Sequence, residues 1–263
     1  MTDLPLAATA ITTHFFTAAD GARLAWHETG PESGTARPLV LIHGLFSSAN
    51  VNWIKYGHAR LLAEAGFRVI MPDLRAHGDS AAPHDPAAYP SDVLADDAVA
   101  LIRHLGLTDY DLGGYSLGGR TVMRMMIRGA VSPRRAMVLG MGLAGMLDTG
   151  HRAAFFREVL SHLGTHPQGS EAWRAEAFFK TTGGDATALI GLLGSFVDSH
   201  EAEIKAIPYP TAIICGTEDQ DNGSAEALAR LLPQGRYIPM PGNHMNAVAK
   251  PEMGRAMRDF LLA

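Results

Sequence analysis

Leu112-Gly113-Gly114-Tyr115-Ser116-Leu117-Gly118-Gly119-Arg120 decides the fold. It joins a short apolar strand to a helix through a turn that only small residues permit. Gly114 and Gly118 flank Ser116 in the pattern G-x-S-x-G, the spacing of a nucleophile elbow, where a strained strand-to-helix turn crowds the serine between bare backbones. Such a turn lifts the serine oxygen clear of the sheet. It also places the Leu117 amide in the first turn of the next helix, where unpaired N–H groups and the positive dipole end favour a developing oxyanion. In a chain with 28 glycines the pattern arises readily by chance, so its context carries the weight. Residues 109–112 read as the strand before it, and residues 121–128, with Val122, Met123, Met125, Met126 and Ile127, as a buried helix after it.

The whole chain sets bounds. Its 263 residues suffice for one large domain or two small ones, and 47% hydrophobic with 19% charged residues is an ordinary globular composition. With 22 basic against 27 acidic residues and a net charge of -5, there is no cationic stripe to release counterions from a phosphate backbone, and no nucleic-acid partner is expected. The single cysteine, Cys215, lies in the apolar run Ala212-Ile213-Ile214-Cys215 and reads as a buried structural thiol. Met1-Thr2-Asp3-Leu4-Pro5 has no basic leader, and the apolar runs fall short of the roughly eighteen residues a bilayer crossing needs. The reading is a cytoplasmic protein without a membrane partner, monomer or homodimer.

Outward from the elbow, strands alternate with helices. Residues 14–18 and 23–28 read as a hairpin around Ala19-Asp20-Gly21-Ala22, followed by a loop over 30–37. Pro38-Leu39-Val40-Leu41-Ile42 is continuous and apolar, as in a central parallel strand buried on both faces. It ends in His43-Gly44-Leu45-Phe46, a turn able to aim the Leu45 amide at the substrate of the nucleophile, with His43 bracing it through its ring. One such donor is worth about 3 kcal/mol of transition-state stabilisation. A helix over 53–65, closed by Gly66, leads to a strand over 67–71 and the polar loop 72–80, in which Asp73 and Arg75 read as braces. Ser91 reads as the cap of an amphipathic helix closing at Gly106, and residues 135–140 as a further strand.

There the alternation stops. Between 145 and 200 the periodicity gives three helices, over 151–163, 170–180 and 185–197, and no strand. This is the pattern of a helical cap, and Phe155, Phe156, Trp173, Phe178, Phe179 and Phe196 give it an aromatic supply for an apolar pocket. The alternation resumes with a strand over 211–215, a helix over 224–232, a strand over 236–240 and a helix over 245–262. Gly216-Thr217-Glu218-Asp219 follows the first of these strands and Pro241-Gly242-Asn243-His244 the second.

Ser116, Asp219 and His244 thus appear in the order nucleophile, acid, histidine, each just past a strand. Together with His43-Gly44, the loop Asp73-Leu74-Arg75-Ala76-His77-Gly78-Asp79-Ser80 and Gly242-Asn243-His244, this resembles the α/β-hydrolase superfamily over nearly the whole chain. The resemblance implies an α/β fold with a mostly parallel, eight-stranded, doubly wound sheet. It divides the chain into a core over 1–144, a helical cap over 145–200 and a second core segment over 201–263. It further implies a Ser116-His244-Asp219 triad and an oxyanion hole of the Leu45 and Leu117 amides. Glu218 and Asp221 are rival acids, but Asp219 alone matches the family position three residues after Gly216. Serine at the elbow argues against the haloalkane dehalogenase and epoxide hydrolase branches. No paired histidine spacing suggests a metal, and no cofactor is implied.

Substrate chemistry stays open. A carboxylic ester hydrolase acting on small to medium apolar groups fits the triad and aromatic cap, with Phe46, Tyr115, Arg120, Phe155, Trp173 and Phe196 as pocket candidates. The alternative is a carbon–carbon bond hydrolase or a triad-driven lyase, because the elbow, Arg120 included, is also similar to that of the menaquinone-pathway lyase, which shares this fold with the meta-cleavage hydrolases. A ligand-binding receptor on a hydrolase fold is the reading from another class.

Overall fold

The computed structural model describes residues 10–31 and 36–263, so the loop expected over 30–37 lies partly outside the described residues. Among the described residues there are eight strands: β1 Thr12–Thr17, β2 Arg23–Thr29, β3 Arg37–Ile42, β4 Phe67–Pro72, β5 Asp111–Tyr115, β6 Ala136–Leu139, β7 Thr211–Gly216 and β8 Gly235–Met240. They form one sheet in the order β1-β2-β4-β3-β5-β6-β7-β8. The hairpin β1–β2 and its junction with β4 are antiparallel, and every pairing from β4 to β8 is parallel. A parallel sheet needs a crossover between neighbouring strands, and the helices supply it on both faces.

Strand β3 shows how the residues divide the core. Leu39, Val40, Leu41 and Ile42 are all fully buried, yet they alternate between two clusters. Val40 and Ile42 pack with Val122, Met123 and Met126 of one face, whereas Leu39 and Leu41 pack with Leu62, Met253 and Met257 of the other. Period-two side chains on a strand covered twice give this result. Helices α1 His58–Glu64 and α10 Pro251–Leu262 cover the second face; α2 Val93–His104, α3 Leu117–Ile127 and α9 Ala225–Leu231 cover the first. Between β6 and β7 the chain inserts α4 Leu143–Leu147, α5 Gly150–Ser161, α6 Glu171–Thr182, α7 Ala186–Leu193 and α8 Glu201–Lys205. Ser170 and Asp185 cap α6 and α7 by accepting the amides of Trp173 and Ala188.

Five sequence expectations need correction. The strand before the elbow runs from Asp111 to Tyr115 rather than over 109–112, because two glycines that weaken strand propensity fit between neighbours: a Cβ on Gly113 would meet Leu41 at 2.9 Å. The elbow helix begins at Leu117, not 121. The helix expected over 53–65 is split into a π-helical turn, Asn50–Ile54, and α1, with Gly57 at a φ of 80° between them. Asp92, not Ser91, precedes α2, and its carboxylate is drawn to Arg124 at 2.6 Å. The last helix starts only at Pro251, which suits a first helical position and not an interior one.

Candidate active site

The parallel register brings the carboxyl ends of the central strands level. Ile42 of β3 lies opposite Gly114 of β5, and Leu139 of β6 opposite Tyr115, so the loops leaving these strands meet at one edge. Ser116 sits at that edge with a φ of 52°, a left-handed conformation that L residues avoid. The turn is tight enough that a Cβ on Gly118 would run into the carbonyl of Ile42, and one on Gly114 into Gly118 itself. Backbone strain is therefore held by close approach on both sides of the serine.

From this position Ser116 Oγ lies 3.0 Å from His244 Nε2, and His244 Nδ1 lies 2.8 Å from Asp219 Oδ2. The sequence-expected trio thus converges. Asp219 is buried, which alone would raise its carboxyl, but the hydrogen bond and charge of His244 and the Asp221 amide outweigh this and hold it below the usual carboxylate range. Of the rival acids, Glu218 is exposed, and Asp221 turns its carboxylate to Arg152 at 3.7 Å. The loop bearing His244 is fixed by Tyr115, whose hydroxyl donates to the His244 carbonyl at 2.6 Å.

The loop after β3 shows which amide is left over. Gly44 N–H donates to Asn52 Oδ1 at 2.8 Å, and Phe46 N–H to His77 Nε2 at 3.2 Å. Among the described residues the Leu45 amide between them donates to none. Leu117 opens α3, so its amide has no partner within the helix, and both leucines border the same cavity as Ser116. Phe46 is itself left-handed, at a φ of 56°.

Two buried histidines carry this loop. His43 donates from Nδ1 to the Gly44 carbonyl at 2.8 Å and accepts the Leu74 amide on Nε2 at 2.9 Å, which is the bracing the sequence suggested. His77 donates from Nδ1 to the Arg75 carbonyl at 2.9 Å, leaving Nε2 as the acceptor for Phe46. Burial, with a smaller push from His43, drives the His77 pKa down to about 3, so it stays neutral and keeps that acceptor lone pair. Asp73 anchors the assembly, accepting the amides of Ala49 and Asp79 and meeting His27 Nε2 at 3.1 Å. Burial would raise its pKa, but the His27 hydrogen bond, His43 and the two amides bring it to about 2. Arg75 spans Asp20 and Asp97, so both residues brace the fold as expected.

A cavity of roughly 660 Å³ opens above Ser116. Phe46, Tyr115, Arg120, Phe155 and Phe196 border it, as expected from the sequence. Trp173 does not, and it is 38% exposed. The reason is helical phase: Glu171, Arg174, Ala175 and Phe178 form the stripe of α6 that faces the cavity, and Trp173 falls off it. Arg120 is 5% exposed and hydrogen-bonded to backbone, donating to the carbonyls of Gly145, at 2.8 Å, and Val197. It thereby fastens the outgoing and returning ends of the helical insertion to the elbow helix, and burial lowers its pKa to about 10. Sequence reasoning missed Asn52, His77 and the lip residues Tyr56 and Met245. The D-x-R-x-H-G-x-S loop held the signal for His77; Asn52 had none, because it depends on the π-helical turn.

Sheet order, elbow and histidine loop together define the α/β-hydrolase class. Sequence comparison agrees: the family profile described as alpha/beta hydrolase fold matches residues 37–151, and the chain belongs to that family. It is 30% identical over 215 residues to a 2-hydroxymuconate semialdehyde hydrolase of Pseudomonas sp. (strain CF600), covering 72% of each protein. Identity to a non-heme haloperoxidase of Rhodococcus erythropolis is 28% over 265 residues, 87% of this chain and 91% of that one. A solved thermophilic esterase from Thermogutta terrifontis superposes with a TM-score of 0.75 at 24% identity, over 96% of this chain and 98% of the esterase. Among the described residues no helix is long and apolar enough to cross a membrane.

Proposed function

We propose that this protein is a serine hydrolase of carboxylic esters with small to medium, largely apolar groups, working through an acyl-enzyme. The observation that carries the reading is the relay of Ser116, His244 and Asp219 at 3.0 and 2.8 Å on the wall of an aromatic-lined cavity. Ser116 Oγ attacks the ester carbonyl while His244 Nε2 takes its proton. The carbonyl oxygen, now negative, is held by the amides of Leu45 and Leu117, each worth about 3 kcal/mol. Collapse of the intermediate expels the alcohol, which receives the proton from His244. Water then attacks the acyl-enzyme with His244 again as base, releasing the acid and restoring Ser116. Asp219 holds Nδ1–H throughout and balances the imidazolium charge.

The cavity volume suits such a substrate, and Phe155 and Phe156 of α5 with Phe178 of α6 on its wall favour apolar groups. A short and a medium p-nitrophenyl ester, given to wild type and Ser116→Ala side by side, test the reading. Turnover by wild type that vanishes in the variant is expected. Equal rates in the two proteins would sink it. Turnover in neither would favour the second reading, hydrolysis of a carbon–carbon bond next to a carbonyl, which the relative named 2-hydroxymuconate semialdehyde hydrolase supports. A ligand-binding receptor would instead retain a small molecule through purification.

A further inference from the structure

Two large apolar side chains on the cavity wall lie outside both core clusters. Tyr56 is 40% and Met245 54% exposed; both border the cavity, and neither belongs to either core cluster. A single exposed apolar residue needs no explanation. Two on one wall beside a proton donor do.

His58 Nε2 donates to the Val248 carbonyl at 2.7 Å and so ties the segment just after Tyr56 to the segment just after Met245, and both of those residues border the cavity. Val51 and Val248 border the cavity with them. The polar residue of that turn, Asn243, is engaged locally: its Oδ1 accepts the amides of Met245, at 3.1 Å, and Asn246, at 3.0 Å. The turn is thus internally satisfied and presents an apolar side chain outward.

Met245 follows His244 directly in the chain. When the tetrahedral intermediate collapses, the C–O bond to the alcohol breaks and His244 Nε2 gives its proton to the departing oxygen, so the group on that oxygen lies on the His244 side. We propose that Tyr56 and Met245 form the leaving-group subsite and that it selects esters of bulky apolar alcohols. This rests on the ester-hydrolase reading above. The acyl group, by contrast, stays on Ser116 and is read by the rest of the cavity.

Methyl, hexyl and benzyl acetates test it, because the acyl group is constant and the alcohols are of comparable acidity. Wild-type kcat/KM is expected to rise about ten-fold or more from methyl to benzyl. Met245→Ser and Tyr56→Ser should each cut that benzyl-to-methyl ratio about three-fold, and the double variant about ten-fold. The acyl-length preference across p-nitrophenyl esters should keep its wild-type order, since it reads a different wall. Leu262→Ser, at a 58% exposed residue that does not border the cavity, serves as the control and should leave the ratio unchanged. All three substituted positions, Tyr56, Met245 and Leu262, are exposed, and unchanged melting temperatures check the fold. Acetates cleaved without alcohol preference, or a preference that survives both substitutions, would overturn the subsite alone. No cleavage of any ester, with Ser116→Ala indistinguishable from wild type, would overturn the hydrolase reading and the subsite with it.

Discussion

The two walls of the cavity are held in different ways. On the sheet side each group is fixed by backbone geometry and hydrogen bonds: the strained elbow, Asn52 on Gly44, His77 on Phe46, Tyr115 on the carbonyl of His244. On the helical side the lining groups are faces of α5 and α6 that reach the sheet side by packing, as Phe156 does against Phe46 at 5.2 Å between ring centroids. The fastening of that side falls to its two ends, where Arg120 holds Gly145 and Val197. Position is over-determined where bonds are to be made and broken. It is left to side-chain shape where substrates differ.

This contrast orders the expected effects, and the largest belong to the sheet side. On the proposed mechanism Ser116→Ala removes the nucleophile, and it should lower kcat by about 10⁴-fold or more while the melting temperature stays near that of wild type, because loss of one member of such a unit costs nearly as much as loss of all. A fall of less than about ten-fold on esters would mean that the strained elbow serves binding and not chemistry.

Next comes His77, which is buried and does not border the cavity. His77→Phe leaves the buried Phe46 amide without an acceptor and frees the loop that aims the Leu45 amide, so kcat should drop about 10- to 100-fold with KM little changed. His77→Gln keeps an acceptor and should recover most of the loss. A purely structural role would lower the stability of both variants with no difference in kcat between them.

The same residue gives a pH signature of smaller size. Its folded-state pKa, about 3, lies below the unfolded value of about 6.5, so the unfolded chain binds more protons between these values. The stability contributed by neutral His77 is complete above pH 6.5 and is lost as the pH falls toward 3, at up to about 1.4 kcal/mol per pH unit. Chemical denaturation of wild type and His77→Gln at pH 7.0 and 5.5 should show the stability gap shrinking by about 1 kcal/mol. A constant gap would mean that His77 binds its proton in the folded protein as readily as in the unfolded chain.

The contrast between the walls also explains what the sequence made legible. The loops after the strands carry residue types that have few uses other than chemistry or tight turns, so Ser116, Asp219, His244 and the order of strands could be read directly. Asn52 could not, because a π-helical turn with no residue signature brings it to Gly44. The elbow strand was read two residues early because glycine weakens strand propensity, although here it is the close approach of Leu41 and Met137 that calls for Gly113. On the helical side the supply of aromatics was plain, but which of them face the cavity depends on a phase that a few residues of boundary error can rotate.

Trp173 is the sharp case and the smallest expected effect. It lies between Ala172 and Arg174 on a helix whose cavity stripe is Glu171, Arg174, Ala175 and Phe178, and a helical turn of 3.6 residues carries its ring away from that stripe. Trp173→Ala should therefore change kcat/KM less than about two-fold for every ester tested and cost less than about 1 kcal/mol of stability, as for other exposed sites free of special features. Phe156→Ala, one wall inward, should raise KM several-fold for medium acyl chains and leave short ones less affected, since it packs on Phe46 and borders the cavity. If both substitutions moved selectivity alike, α6 would have to turn or shift in the working enzyme, and the helical wall would be a moving part rather than a fixed lining.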